Sequence, residues 1–189
     1  HYVETFGSGA AFLDYDGDGH LDLYLVSGAP IDSALSAAAP TNQLYHNRGN
    51  GLFEARSAEA GAGDRGYGMG VSAADYDGDG DTDLYITNWG PNALYRNDGA
   101  QFTNVTQPTG VGDPRWGTSA AFLDYDNDGD LDLFVANYVA FSPDQNVYCA
   151  RGNVRTYCDP DEYPAQADVL YRNDGEHYTD VTQSMGLTH

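Results

Sequence analysis

The sequence predicts an all-β fold of β-propeller blades: three four-stranded antiparallel units, each carrying an Asp-rich hairpin loop. Three observations predict it. A nonapeptide recurs as Asp14-Tyr15-Asp16-Gly17-Asp18-Gly19-His20-Leu21-Asp22, Asp75-Tyr76-Asp77-Gly78-Asp79-Gly80-Asp81-Thr82-Asp83 and Asp124-Tyr125-Asp126-Asn127-Asp128-Gly129-Asp130-Leu131-Asp132. A second phrase follows each copy: Asn42-Gln43-Leu44-Tyr45, Asn92-Ala93-Leu94-Tyr95 and Asp168-Val169-Leu170-Tyr171, each running into an Asn-x-Gly turn at Asn47, Asn97 and Asn173. The residues before each nonapeptide (9–13, 70–74 and 119–123) are rich in Ala, Gly and Ser, which suits the crowded innermost strand of a blade.

Taken in order, that small-residue stretch is strand one, preceded by an aromatic-Gly pair at Phe6-Gly7, Tyr67-Gly68 and Trp116-Gly117. The nonapeptide then turns the chain. Four carboxylates at positions 1, 3, 5 and 9 of one tight loop repel one another unless a cation lies among them. Calcium takes six to eight oxygens at about 2.3–2.6 Å and resolves the conflict. The expected ligands are Asp14, Asp16, Asp18 and Asp22; Asp75, Asp77, Asp79 and Asp83; and Asp124, Asp126, Asp128 and Asp132. At position 7, His20, Asp81 and Asp130 are expected to contribute backbone carbonyls. The side chain of His20 is expected to be solvated. Gly19, Gly80 and Gly129 stand at position 6, where the chain must turn sharply. An EF-hand shares the Asp-x-Asp-x-Asp-Gly opening but requires Glu at position 12, where this chain has Leu25, Ile86 and Val135.

Strand two (21–26, 84–87 and 131–136) is β-branched and aromatic, unlike the helix an EF-hand needs. Strand three carries the Leu-Tyr pair and turns through Asn-x-Gly into strand four, a hairpin signal. A glycine follows at Gly61, Gly110 and Gly186. The units are expected at 1–61, 62–110 and 111–189, together forming one partial propeller domain. A β-solenoid is the rival, but its rungs are far shorter. Unit lengths differ in the connection between strands two and three: Trp89-Gly90-Pro91 in unit two, residues 28–41 in unit one, and an insertion at 138–167 in unit three. The insertion holds Cys149 and Cys158, expected to pair as a disulfide, with free thiols the alternative and a zinc site disfavoured for want of a nearby His. Its unrepeated aromatics (Tyr138, Phe141, Tyr148, Tyr157 and Tyr163), together with Trp89, are candidates for a recognition surface. Tyr15, Tyr76 and Tyr125, which do repeat, read as packing between blades.

The chain has 189 residues, 41% hydrophobic, with 29 acidic against 8 basic residues and a net charge of −21. That charge excludes nucleic acid and anionic membranes as partners. No apolar run is long enough to cross a bilayer, so no membrane insertion is expected. The chain opens on His1 without a basic-then-apolar segment, so a removed leader or a longer parent is expected. Two cysteines and weak calcium sites favour an extracellular, secreted setting. The histidines share no motif with a nucleophile, and Asp159, Asp161 and Glu162 are neighbours in sequence without evidence of the separation glycosidic chemistry needs. No enzyme activity, catalytic residue or organic cofactor is expected.

The phrases FGSGAAFLDYDGDGHLDLYLV, YGMGVSAADYDGDGDTDLYITNWGPNALYRNDG and WGTSAAFLDYDNDGDLDLFVANY resemble FG-GAP/VCBS repeats. Their order, with the cysteine-bearing insertion before DVLYRNDG, is similar to the cartilage acidic protein family of secreted proteins. The resemblance implies a calcium-bound propeller like that of integrin alpha subunits, with Asp14, Asp16, Asp18, Asp22 and the matching residues of the other loops as ligands. It also implies further repeats on both sides in family members. Three blades do not close a ring. A segment of a longer protein, or a subunit whose open faces dock on a neighbour, is therefore expected. The expected role is a structural, adhesive or protein-interaction scaffold with three Ca²⁺, meeting a protein or glycan ligand at the cell surface or matrix. The alternatives are a self-associating building block of an extracellular filament and a calcium-dependent carbohydrate-active enzyme.

Overall fold

The computed structural model describes residues 2–28, 40–175 and 177–187. After a 3-10 turn at Tyr2–Thr5, three antiparallel sheets follow one another. The first blade is a meander of β1 (Ala10–Leu13), β2 (Asp22–Leu25), β3 (Gln43–Asn47) and β4 (Phe53–Ala55), hydrogen-bonded in that order. The second contains β5 (Tyr67–Ala74), β6 (Asp83–Asn97) and β7 (Phe102–Asn104). The third begins with β8 (Gly117–Leu123) and β9 (Asp132–Asn137). Its insertion forms a separate hairpin of β10 (Cys149–Arg151) and β11 (Val154–Thr156), and β12 (Val169–Asn173) and β13 (Tyr178–Asp180) complete the sheet. The all-β, blade-by-blade expectation holds.

The second blade has three strands because β6 serves twice. Residues 83–89 pair with β5 and residues 95–97 with β7. A straight strand rises about 3.3 Å per residue, which would separate Asp83 from Asn97 by more than about 40 Å. They are instead hydrogen-bonded at 2.7 Å, so the strand folds back through Trp89-Gly90-Pro91. Gly90 takes a φ of 110° there, a region open chiefly to glycine.

The variable connections share one closure. Asn42, Asn92 and Asp168 each accept, through Oδ1, an N–H from the far end of the strand-two segment: Ser27, Asn88 and Asn137, all at 2.8 Å. The same bond fixes strand three whatever is inserted before it. In unit one, residues 29–39 of the long connection lie outside the described residues.

The core lies between blades. Leu13, Tyr15, Tyr24 and Leu44 of the first blade pack on Leu84, Ile86, Tyr95 and Phe102 of the second. Tyr76, Tyr85, Leu94 and Val111, from the second blade and the turn after it, pack likewise on Leu133, Val135, Tyr171 and Tyr178 of the third. The second blade is therefore met on one face by the first blade and on the other by the third. Strand one is where blades crowd closest: a Cβ on Gly9 would lie 3.0 Å from Gly70 Cα, and one on Gly70 would lie 2.7 Å from the Thr118 carbonyl oxygen. Blades are linked by α1 (Ser57–Ala60) and α2 (Thr106–Thr109), which end on Gly61 and Gly110 at φ 73° and 79°.

The aromatic-Gly pairs and the insertion form a third cluster. Phe6, Trp116 and Tyr138 meet edge to face with centroids 5.2–5.4 Å apart. Phe141 packs on Trp89, Trp116 and Tyr163, and Trp89 Nε1 donates to the Phe141 carbonyl at 3.3 Å. This corrects the expected recognition surface. Tyr138, Phe141, Tyr163 and Trp89 are packed inward because the insertion folds back over the ends of the blades; Tyr148 and Tyr157 remain exposed. Cys149 and Cys158 are joined in a disulfide. Among the described residues no helix is long and apolar enough to cross a membrane.

Candidate metal centre

Each nonapeptide spans strand one to strand two and is shaped by its own carboxylates. The position 1 Asp accepts N–H groups from across the loop: Asp14 from Asp18 and Gly19, Asp75 from Gly78, Asp79 and Gly80, and Asp124 from Gly129, at 2.8–3.2 Å. Position 6 is left-handed, as the glycines there require. Position 4 is left-handed too, with φ of 71° at Gly17, 75° at Gly78 and 61° at Asn127. Asn tolerates that region better than most residues, which accounts for the one departure from glycine in the third loop.

The position 9 aspartates, Asp22, Asp83 and Asp132, are fully buried. Each uses both oxygens as a bracket. Oδ2 accepts the N–H of loop position 2 (Tyr15, Tyr76, Tyr125) at 2.9–3.1 Å. Oδ1 accepts the N–H of Asn47, Asn97 or Asn173 at the end of strand three at 2.7–2.9 Å. One carboxylate thus ties loop, strand two and strand three together.

Positions 1, 3 and 9 converge in all three loops. The groups Asp14, Asp16 and Asp22; Asp75, Asp77 and Asp83; and Asp124, Asp126 and Asp132 each bring one oxygen per residue within 4.8 Å of the others. Position 5 stands apart from these groups. Asp18, Asp79 and Asp128 each turn Oδ1 onto the N–H of position 7, at 2.8–2.9 Å. Of the position 7 side chains, Asp81 accepts the Gly99 N–H at 2.7 Å, and the exposed ring of His20 lies against Gly49 and 3.1 Å from Asp18 Oδ1. Asp130 supplies its N–H to Asp128.

The electrostatics follow from this crowding. Burial, reinforced by the charges of Asp77 and Asp79, outweighs the two N–H donors on Asp83 and pushes its carboxyl up to about 7. Burial, with the charge of Asp16 adding to it, raises Asp22. Burial and then the repulsion of Asp79 and Asp75 raise Asp77. Asp18 moves the other way, held down first by the His20 N–H. Three closely set carboxylate oxygens form an all-oxygen donor set that fits a hard cation. Asp-rich groups able to hold a metal ion are therefore present in every blade.

Several residues in or near the candidate site, and two buried acids outside it, escaped the sequence reading. His46 Nδ1 lies 3.1 Å from Asp16 Oδ2 and 3.3 Å from Asp22 Oδ1, and forms a second group with Asp16 and Asp18. The signal was the aligned phrase, which has Arg96 and Arg172 at that position. Those arginines pair instead with Asp98 and Asp174. Asp64 and Asp113 were also missed. Both are buried; Asp64 accepts from Asn88 Nδ2 at 3.3 Å and Asp113 from Asn137 Nδ2 at 2.8 Å. The repeated Gly-x-Gly-Asp at Gly61 and Gly110 marks them. Asp159, Asp161 and Glu162 are exposed around one short turn, Pro160–Glu162.

The FG-GAP-like repeat family matches residues 14–86 and, overlapping, 75–135. Both matches start at position 1 of a nonapeptide and end in strand two of the following blade. No curated protein matches the chain, so the likeness to cartilage acidic proteins rests on the order of the phrases and the insertion.

Proposed function

This chain belongs to the FG-GAP-like repeat family, and from that premise we propose that it is an extracellular calcium-binding propeller module serving as a structural and protein-interaction scaffold. The observation that carries the reading is the threefold convergence of position 1, 3 and 9 carboxylates on one point per loop. Calcium is favoured over zinc because the donors in the second and third loops are oxygens, and over magnesium because an irregular loop suits a large, geometrically tolerant ion. One ion per blade gives three. Free calcium at the millimolar level outside cells would fill sites of this kind, and the Cys149–Cys158 disulfide suits the same compartment.

The interaction surface is assigned to the insertion hairpin. Tyr148, Val154 and Tyr157 stand exposed there, Arg155 lies over the Tyr148 ring at 5.7 Å, and a cleft of about 690 Å³ opens between Asn146, Arg155, Tyr157 and Tyr163. Aromatic and Arg side chains of this kind anchor protein and glycan partners. Binding, rather than catalysis, is the reading. Equilibrium dialysis against calcium tests the first part: three ions per chain are expected, two in each of Asp16→Ala, Asp77→Ala and Asp126→Ala, and no bound calcium in the unaltered chain overturns it.

A further inference from the structure

The end of strand three departs from its own repeat in one blade. It reads Tyr95-Arg96-Asn97-Asp98-Gly99 in the second blade and Tyr171-Arg172-Asn173-Asp174-Gly175 in the third, but Tyr45-His46-Asn47-Arg48-Gly49 in the first. Arg96 and Arg172 carry a fixed positive charge, have no lone pair to offer a metal, and pair with the Asp two residues on. In the first blade that Asp is replaced by Arg48, which pairs with Glu54 of β4. The position before the strand-three Asn is thereby left to an imidazole, a nitrogen donor beside a carboxylate loop.

That donor is held in place and aimed at the loop. The backbone next to it is fixed by the Asn47 N–H bond to Asp22 Oδ1 at 2.7 Å, and its ring meets Tyr15 edge to face at 6.2 Å. His46 Nδ1 lies 3.1 Å from Asp16 Oδ2 and 3.3 Å from Asp22 Oδ1, yet this buried nitrogen makes no hydrogen bond to either. Nitrogen and oxygen donors bound to one zinc at about 2.0–2.1 Å stand about 3.0–3.4 Å apart, which is the spacing found. Asp18 completes the group, with one donor atom each from Asp16, Asp18 and His46 within 4.8 Å of the others; among the described residues no other group of this kind includes a nitrogen. The exposure of the three loops is the same, with position 1 half-buried, position 3 exposed and position 9 buried, although the second and third blades each follow another blade. Access to these donors is therefore set by the loop itself and not by what adjoins the first blade.

We propose that the first loop, unlike the other two, is a site for a divalent transition-metal ion of the zinc class, held by Asp16, Asp18 and His46 Nδ1. This goes beyond the calcium reading. Calcium takes oxygen donors and gains little from an imidazole, whereas zinc binds imidazole and carboxylate together. Three protein donors leave a fourth tetrahedral position for water. The two groups in this loop share Asp16, so the identity of the ion there is decided by the nitrogen that only this blade supplies.

The test is a calorimetric titration of the 189-residue chain with Zn²⁺, run with and without millimolar calcium so that the fate of the calcium reading shows separately. One zinc per chain is expected, retained in calcium, and the ring-nitrogen NMR signal of His46 should shift as it binds. His46→Arg, which gives the first blade the side chain its sister blades carry, should weaken zinc by at least about a hundredfold, the upper end of what losing a merely supporting group costs. His46→Gln should do the same without adding charge, and keeps the test open if the Arg variant fails to fold. Neither variant should alter calcium binding at the second and third loops. Failure to bind zinc in the presence of calcium overturns the proposal, as does zinc binding that both His46 variants retain.

Discussion

Asp83 shows how one side chain can serve both the fold and the ion. It receives the N–H groups of Tyr76 and Asn97 in a fully buried position, so Asp83→Ala strands two buried donors. At about 1–3 kcal/mol for each, the loss should be about 2–6 kcal/mol even in excess chelator, read as a shift in urea midpoint. Asp77→Ala, at position 3, should cost the second-blade ion but leave the metal-free midpoint nearly unchanged. The charge state adds a pH dependence. The carboxyl of Asp83 sits at about 7 in the metal-free fold against about 3.9 in the unfolded chain. Between those values the folded chain holds a proton that the unfolded chain has lost. This contribution to stability is therefore fully present below about pH 4 and lost as pH rises through about 7. Asp22 and Asp77 act in the same direction. In chelator the melting temperature should fall between about pH 5 and 8, and less so in Asp83→Asn; in calcium, which binds the ionised form, the trend should reverse. At this scale the sequence is informative about which oxygens gather, because alternate aspartates recur at fixed spacing. It is silent on position 9 as a bracket and on His46, since both depend on where strand three lands, and strand three starts 20 residues beyond Asp22 at Asn42 in one blade and 9 beyond Asp83 at Asn92 in another.

At the scale of elements, the blade strands were legible because the small-residue stretch, the Leu-Tyr phrase and the Asn-x-Gly turn each repeat three times, although β6 runs strands two and three of the second blade together. The four-residue helices α1 and α2 were not: each is barely one turn, too short for any 3.6-residue pattern, and only the glycine that ends it leaves a mark. The fate of the insertion aromatics was equally hidden, since exposed and buried rings look alike until the loop's path over Phe6 and Trp116 is known. The disulfide spans the β10–β11 hairpin, from Cys149 in β10 to Cys158 just past β11. A loop of this length is worth about 2–3 kcal/mol in the chain-entropy estimate. Replacing both cysteines by Ala should raise hydrogen exchange across residues 146–163 and leave calcium stoichiometry unchanged. Gly70 sets the approach of β5 to β8. The Cβ of Gly70→Ala would meet the Thr118 carbonyl, which as backbone yields little. Overpacking of that kind should cost about 1–3 kcal/mol in urea unfolding.

For the whole molecule, the three blades are related by a repeated junction of apolar side chains and one Asn-to-carbonyl bond, Asn97 Nδ2 to the Tyr15 carbonyl and Asn173 Nδ2 to the Tyr76 carbonyl, and each junction lies beside a position 9 bracket. An ion bound at positions 1, 3 and 9 would therefore stiffen strand pairing and blade packing together. This couples ion occupancy to global stability, whereas a surface ion in a solvated turn would change little. If each of three ions contributes about 1–3 kcal/mol, and 1 kcal/mol shifts melting by about 2–4 °C in a domain of this size, their combined effect is large. The most direct measurement is the thermal melt of the 189-residue chain in millimolar calcium and again after excess chelator. A fall on the order of 10–20 °C is expected, recovered when calcium is restored. A melting temperature indifferent to chelator would contradict it.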